Sequence, residues 1–89
     1  MTIRVLLVDD HAVVRTGLRM LLESEPEMEI AGEAGTAQEA LALVTKLTPD
    51  VVLMDIGLPD LSGIDATQEI KRRAPQAAVV ALTIYEDEE

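Results

Sequence analysis

Hydrophobic positions along the chain switch between two periods, and each switch marks an element. Ile3-Arg4-Val5-Leu6-Leu7-Val8 is a nearly continuous aliphatic run, as expected of a strand buried on both faces. From Ala12 to Glu23 the spacing lengthens. Val14, Leu18, Leu21 and Leu22 form a stripe, with Arg15, Arg19 and Glu23 off it, which predicts an amphipathic helix stopped by Pro26. Met28 to Ala34 reads as a second, weaker strand. Thr36 and Glu39 then have the spacing of a capping box, opening a helix with Leu41, Val44 and Leu47 on one face and Pro49 beyond its end. Val51-Val52-Leu53-Met54 is a third strand that, like the first, runs into aspartate. Gly57 to Leu61 has loop composition. Ser62 caps a predicted third helix with Ile64, Thr67 and Ile70 facing inward and Lys71, Arg72 and Arg73 in its last turn. Pro75 ends it, Ala77 to Leu82 forms a fourth strand, and Thr83 with Glu86 repeats the capping-box spacing at the start of a fourth helix.

Strands alternating with helices over short connections predict βαβ units, right-handed crossovers and a parallel sheet with helices on both faces. In such a sheet, ligands bind outside the carboxyl ends of the strands. The first strand delivers Asp9 and Asp10 to that edge, the third delivers Asp55 and the fourth delivers Thr83. If these three strands are neighbours, three carboxylates and a hydroxyl converge. Clustered like charges repel, and a hard divalent cation resolves the repulsion. Mg²⁺ takes octahedral oxygen ligation, which Asp10, Asp55 and the backbone carbonyl of Gly57 can supply. A strand-end carboxylate facing a metal can act as a nucleophile toward phosphorus, and this predicts an aspartyl phosphate at Asp55, with Thr83 bonding a phosphoryl oxygen.

Composition narrows the setting. The 89 residues allow one domain, and 17 acidic against 7 basic side chains give a formal charge of −10. That charge, with Tyr85 as the single aromatic residue, argues against nucleic-acid binding by this segment and against anionic membrane surfaces. The absence of cysteine excludes disulfides and thiolate chemistry. Apolar runs are too short to span a bilayer, and the N-terminus lacks a signal-peptide pattern, so the expected location is cytoplasmic. Glu25, Glu27 and Glu29, and the run Glu86 to Glu89, read as solvated faces. Asp9, Asp10, Asp55, Asp60, Asp65 and Glu86 differ in lying at or just after the ends of apolar runs.

Val-Asp-Asp-His at 8–11, Leu-Met-Asp-Ile-Gly-Leu-Pro at 53–59, Ser-Gly at 62–63 and Ala-Leu-Thr at 81–83 together resemble a receiver domain of two-component response regulators. Arg-Thr-Gly-Leu-Arg at 15–19, Gly-Glu-Ala at 32–34 and Leu-Thr-Ile-Tyr-Glu-Asp at 82–87 are similar to its NarL/FixJ (LuxR-like) subfamily. The resemblance implies an α/β, flavodoxin-like (CheY-like) doubly wound sheet in the order 2-1-3-4-5. Residues 1–89 are then expected to be a C-terminally incomplete receiver, lacking most of helix four, the fifth strand and helix five. It further implies a phosphoacceptor at Asp55, Mg²⁺ (or Mn²⁺) held directly by Asp10 and Asp55, by the Gly57 carbonyl and through water by Asp9, and a switch hydroxyl at Thr83. The implied donor is a sensor histidine kinase. The implied output is transcription control through a C-terminal helix-turn-helix domain outside these residues, the only route to DNA. Pro59 and Gly63 take structural roles under the site, and His11 is expected to face solvent at the helix start.

Two departures from the family pattern are expected to matter. The family's lysine after strand five has no stand-in among Lys46, Lys71 and Arg73. The uncharged run Ala78 to Leu82 would form an apolar sheet edge suited to self-association. This makes an oligomerising, inactive fragment one alternative. A haloacid-dehalogenase-type phosphohydrolase is another, although such enzymes need an acid two residues after the nucleophile, where this chain has Gly57. The expected behaviour is that of a phosphoacceptor whose phosphotransfer is self-catalysed, with no enzyme turnover.

Overall fold

The computed structural model describes residues 1–82, and the expected helix start at Thr83 to Glu86 lies outside the described residues. Seven elements alternate: β1 (Ile3–Val8), α1 (Ala12–Glu23), β2 (Met28–Ala34), α2 (Ala37–Leu47), β3 (Val51–Asp55), α3 (Gly63–Arg73) and β4 (Ala78–Leu82). The predicted elements are all present, with β3 one residue longer and β4 one residue shorter than the hydrophobic pattern suggested.

The strands form one parallel sheet in the order β2-β1-β3-β4. Val8 pairs with Ala34 on one side and Met54 on the other, so β1 and β3 finish level with each other. β1 is the central strand with β3, and its Val5 to Val8 are all buried, which explains its unbroken aliphatic run. The principal core lies between one sheet face and the helices α2 and α3. Leu6, Val8, Val52 and Met54 meet Ala40, Leu41 and Val44 from α2, and Ala66 and Ile70 from α3.

Two helical faces differ from expectation. In α3 the buried line is Ala66, Ile70 and then Ala74, while Ile64 is 73% exposed. At 3.6 residues per turn Ile64 sits roughly 120° around the helix from Ile70. Small side chains at 66 and 74 let the helix approach the sheet, a role that side-chain size concealed in the sequence. In α1, Val14, Leu18 and Leu22 are half-buried against the sheet. Leu21, the fourth member of the expected stripe, lies on its flank and is 68% exposed.

Local polar contacts set the helix starts. The Thr36 hydroxyl accepts the Glu39 amide at 3.1 Å, and Glu39 accepts the Gly35 amide at 2.7 Å, a capping box displaced by one residue. Ser62 caps α3 by accepting the Asp65 amide at 3.1 Å. Asp60, in the loop after β3, reaches across to α2, where its two carboxylate oxygens accept the amides of Ala37 and Gln38, each at 2.9 Å. These bonds to two helix-terminal amides hold the Asp60 carboxyl below its ordinary pKa. Among the described residues no helix is long and apolar enough to cross a membrane.

Ile70→Ala is expected to lower unfolding free energy by about 2–5 kcal/mol in urea titrations followed by circular dichroism, with Ile64→Ala changing it by no more than about 0.5 kcal/mol. Asp60→Ala is expected to lower Tm at neutral pH. Because the folded-state pKa is depressed, that contribution is present above the unfolded pKa and is lost as pH falls through the folded one. The Tm difference between parent and variant should therefore close on acidification below the ordinary aspartate range, and a pH-independent difference would contradict the assignment.

Candidate functional site

The level ends of β1 and β3 place their terminal aspartates beside each other. Asp9 and Asp55 are 1% and 6% exposed, and they are the buried charged residues of the described chain. Asp9 is fixed at the sheet end by its amide, which donates to the Ala34 carbonyl at 3.0 Å. Its Oδ1 accepts the His11 amide at 2.8 Å and lies 3.0 Å from His11 Nδ1. Its Oδ2 is buried with no hydrogen-bond partner. A buried carboxylate oxygen without a protein donor is costly unless something else satisfies it.

Asp10 and Asp55 complete the cluster. Asp10 Oδ1 lies 3.1 Å from His11 Nδ1, and its side chain is one-third exposed at 33%. Asp55 uses Oδ1 to accept the Gly57 amide at 3.0 Å, which orients the carboxylate. Its Oδ2 is directed to the cluster, 3.9 Å from His11 Nδ1. One donor atom from each of Asp9, Asp10, His11 and Asp55 lies within 4.8 Å of the others. Three carboxylates, one with an orphaned buried oxygen, fit a divalent cation.

The loop under the site follows from close packing. A Cβ on Gly63 would come within 2.9 Å of Ile56 Cβ and 3.1 Å of Ile56 Cα, so glycine is needed where α3 starts against the residue following Asp55. At Gly57 a Cβ would stand 3.7 and 3.9 Å from the Asp55 oxygens, and glycine leaves that side of the carboxylate open. Pro59 is exposed in the same loop.

The residues expected at the site divide clearly. Asp9, Asp10, Asp55 and Gly57 come together. Thr83 lies outside the described residues, although Asp55 pairs in register with Leu82, the residue before it in sequence. Lys71 is turned to the opposite sheet edge, where Nζ donates to the carbonyls of Pro75 and Ala77. Arg73 donates to the Leu41 carbonyl. His11 is 62% exposed along its side chain, as expected, but its Nδ1 faces the carboxylates. The hydrogen bond with Asp9 and the charge of Asp10 raise its pKa above the ordinary histidine value. Arg15 stands out in the sequence only as a polar position of the first helix and as part of a subfamily motif. It donates from Nη1 to the Asp9 carbonyl at 2.5 Å and from Nε to Glu33 at 3.2 Å, while Arg19 pairs with the other Glu33 oxygen at 2.7 Å. The i, i+4 spacing of the two arginines was the available signal, but their shared partner on β2 depends on the register.

A model of the response regulator receiver domain matches residues 5–89. The transcriptional regulatory protein LiaR of Bacillus subtilis (strain 168) is 42% identical over 87 residues, covering 98% of this chain and 41% of the relative. The response regulator protein VraR of Staphylococcus aureus (strain Mu3) is 43% identical over 90 residues, covering 100% of this chain and 43% of the relative. The chain thus spans about two-fifths of the length of these curated relatives. The solved structure of a LuxR-family two-component response regulator from Aurantimonas sp. SI85-9A1 superposes with a TM-score of 0.89 at 41% identity, over 97% of this chain and 61% of that one. These similarities give no support to the phosphohydrolase alternative.

Asp9→Asn is expected to raise the Tm of chelator-treated protein by a few degrees, because it removes a buried charge facing two others. The same substitution should diminish the further rise in Tm that Mg²⁺ produces in the parent. A variant less stable than the parent in chelator would show that the cluster is not under electrostatic strain.

Proposed function

We propose, since the chain belongs to the family of response regulator receiver domains, that Asp55 is its phosphoacceptor and that the carboxylate cluster is its Mg²⁺ pocket. Receiver domains are non-enzymatic phosphoacceptors that bind Mg²⁺ at an acidic pocket and interact with sensor histidine kinases. The observation that carries the reading is the convergence of Asp9, Asp10 and Asp55 within one cation's reach at the carboxyl edge of the sheet.

Asp10 and Asp55 are the direct metal ligands in this reading, the Gly57 carbonyl is a third, and Asp9 acts through water. When bound, Mg²⁺ (or Mn²⁺) supplies positive charge against the carboxylates and the incoming phosphoryl oxygens. The Gly57 amide holds Asp55 Oδ1, leaving Oδ2 to attack phosphorus. The new O–P bond forms as the P–N bond of a phosphohistidine breaks, and the electron pair returns to the imidazole of the kinase. Asp55 is consumed as acceptor, and both transfer and later hydrolysis are catalysed by the receiver's own site. Thr83 binds a phosphoryl oxygen and relays the change.

In the longer protein this module controls a C-terminal helix-turn-helix domain, and DNA is reached through that domain alone. The name of LiaR as a transcriptional regulatory protein supports this output, and a cytoplasmic location accords with it.

Acetyl phosphate with Mg²⁺ is expected to add a single labile phosphoryl group, read by intact-mass spectrometry. Asp55→Asn should abolish the adduct, and chelation of the metal should suppress it by at least about ten-fold. An adduct that persists in Asp55→Asn would assign the acceptor elsewhere.

A further inference from the structure

We propose that His11 makes the same pocket a chelating site for a borderline transition cation, of the Zn²⁺ or Ni²⁺ class, which competes with Mg²⁺ and blocks Asp55. The inference rests on the phosphoacceptor reading for its consequence, but the binding itself stands on the donor atoms.

His11 occupies the position before α1 with extended backbone angles, φ −99° and ψ 108°, and its side chain makes no capping bond to the helix. The ring instead turns back over the ends of β1 and β3. Its Nδ1 stands 3.0 Å from Asp9 Oδ1, 3.1 Å from Asp10 Oδ1 and 3.9 Å from Asp55 Oδ2. Donors bound to zinc at roughly 2.0–2.1 Å are separated by about 3.3 Å along a tetrahedral edge. The observed separations bracket that edge, so a cation needs little rearrangement to bring the imidazole and carboxylates into one shell. The buried Asp9 Oδ2, which has no partner, is a second and independent sign that the pocket awaits a ligand.

Ligand chemistry supplies the selectivity. Carboxylate, carbonyl and water suit Mg²⁺, whereas imidazole favours Zn²⁺ and Ni²⁺. The exposure of the His11 ring lets a cation enter from solvent without opening the core. A cation held by His11, Asp10 and Asp55 displaces Mg²⁺, and in a four-coordinate shell the imidazole takes the position that an incoming phosphoryl oxygen needs. Phosphoryl transfer is then denied while that cation is bound. The site thus reports the balance of two cation classes as well as the kinase signal.

The test is calorimetric titration of the metal-free chain with ZnCl₂ and separately with MgCl₂, for the parent and for His11→Ala. The parent is expected to bind Zn²⁺ at least about ten-fold more tightly than Mg²⁺, and His11→Ala should reduce the ratio of the two affinities by about ten-fold or more. An unchanged ratio overturns the proposal, as does Zn²⁺ bound only at the acidic clusters outside this pocket, recognised by its persistence in Asp10→Ala. Circular dichroism of each variant separates loss of fold from loss of a ligand. Acetyl phosphate labelling in Mg²⁺ with added ZnCl₂ should show inhibition that needs more zinc in His11→Ala. A parent that takes no phosphoryl group in Mg²⁺ alone, yet retains the His11-dependent zinc preference, would defeat the phosphoacceptor reading and leave this binding site standing.

Discussion

Parallel neighbours β1 and β3 finish level, with Asp9 directly after β1 and Asp55 closing β3, so their carboxylates are forced together at the rim of a hydrophobic sheet. The surrounding structure can be understood as a response to that crowding. Asp9 is nearly as buried as the aliphatic residues before it, and its Oδ2 has no protein donor. Adjacent charges in such a setting repel strongly and are poorly screened. The fold tolerates them because the core of Leu6, Val8, Val52 and Met54, packed under α2 and α3, holds the strand ends in place. A site that stores repulsion is also one that gains most from a cation.

Neighbouring groups restrain the aspartates without neutralising them. Gly57 orients Asp55 through a backbone amide, and Arg15 grips the main-chain carbonyl of Asp9 while Glu33 holds the guanidinium from β2. Asp60 ties the loop after β3 to the start of α2, and Gly63 lets α3 begin against Ile56. His11 is the one basic side chain that reaches the carboxylates directly among the described residues, and it does so from the solvent side. Asp55 Oδ2, the oxygen proposed to accept phosphorus, faces this cluster.

Most of the fold was legible because its signals are local. Continuous aliphatic runs mark buried parallel strands, and Thr36, Ser62, Pro49 and Pro75 punctuate the helices where they occur. The convergence of Asp9, Asp10 and Asp55 was legible for the same reason, since a residue at the end of a strand has its place set by the strand. Side-chain direction around helices was less so. Ile64 reads as inward together with Thr67 and Ile70, whereas the packed line runs through the small Ala66 and Ala74 on either side of Ile70. Contacts across elements were hidden as well. Nothing near Asp60 in sequence points to the amides of Ala37 and Gln38, and nothing near Arg15 points to Glu33, because both depend on the order and register of strands. His11 was half-read, with its exposure anticipated and its Nδ1 contacts missed. The bond that turns its ring inward is to the side chain of its close neighbour Asp9.

In the proposed reading these particular aspartates, and not the chain's abundant surface acids, form the cation site. Titration of ¹⁵N-labelled protein with MgCl₂, followed by amide chemical shifts, distinguishes the two. Saturable shifts are expected, concentrated at Asp9, Asp10, His11, Asp55, Ile56 and Gly57. Non-saturating shifts spread over Glu25, Glu27 and Glu29 and the acidic residues 86–89, with the β1 and β3 ends unmoved, would contradict that reading.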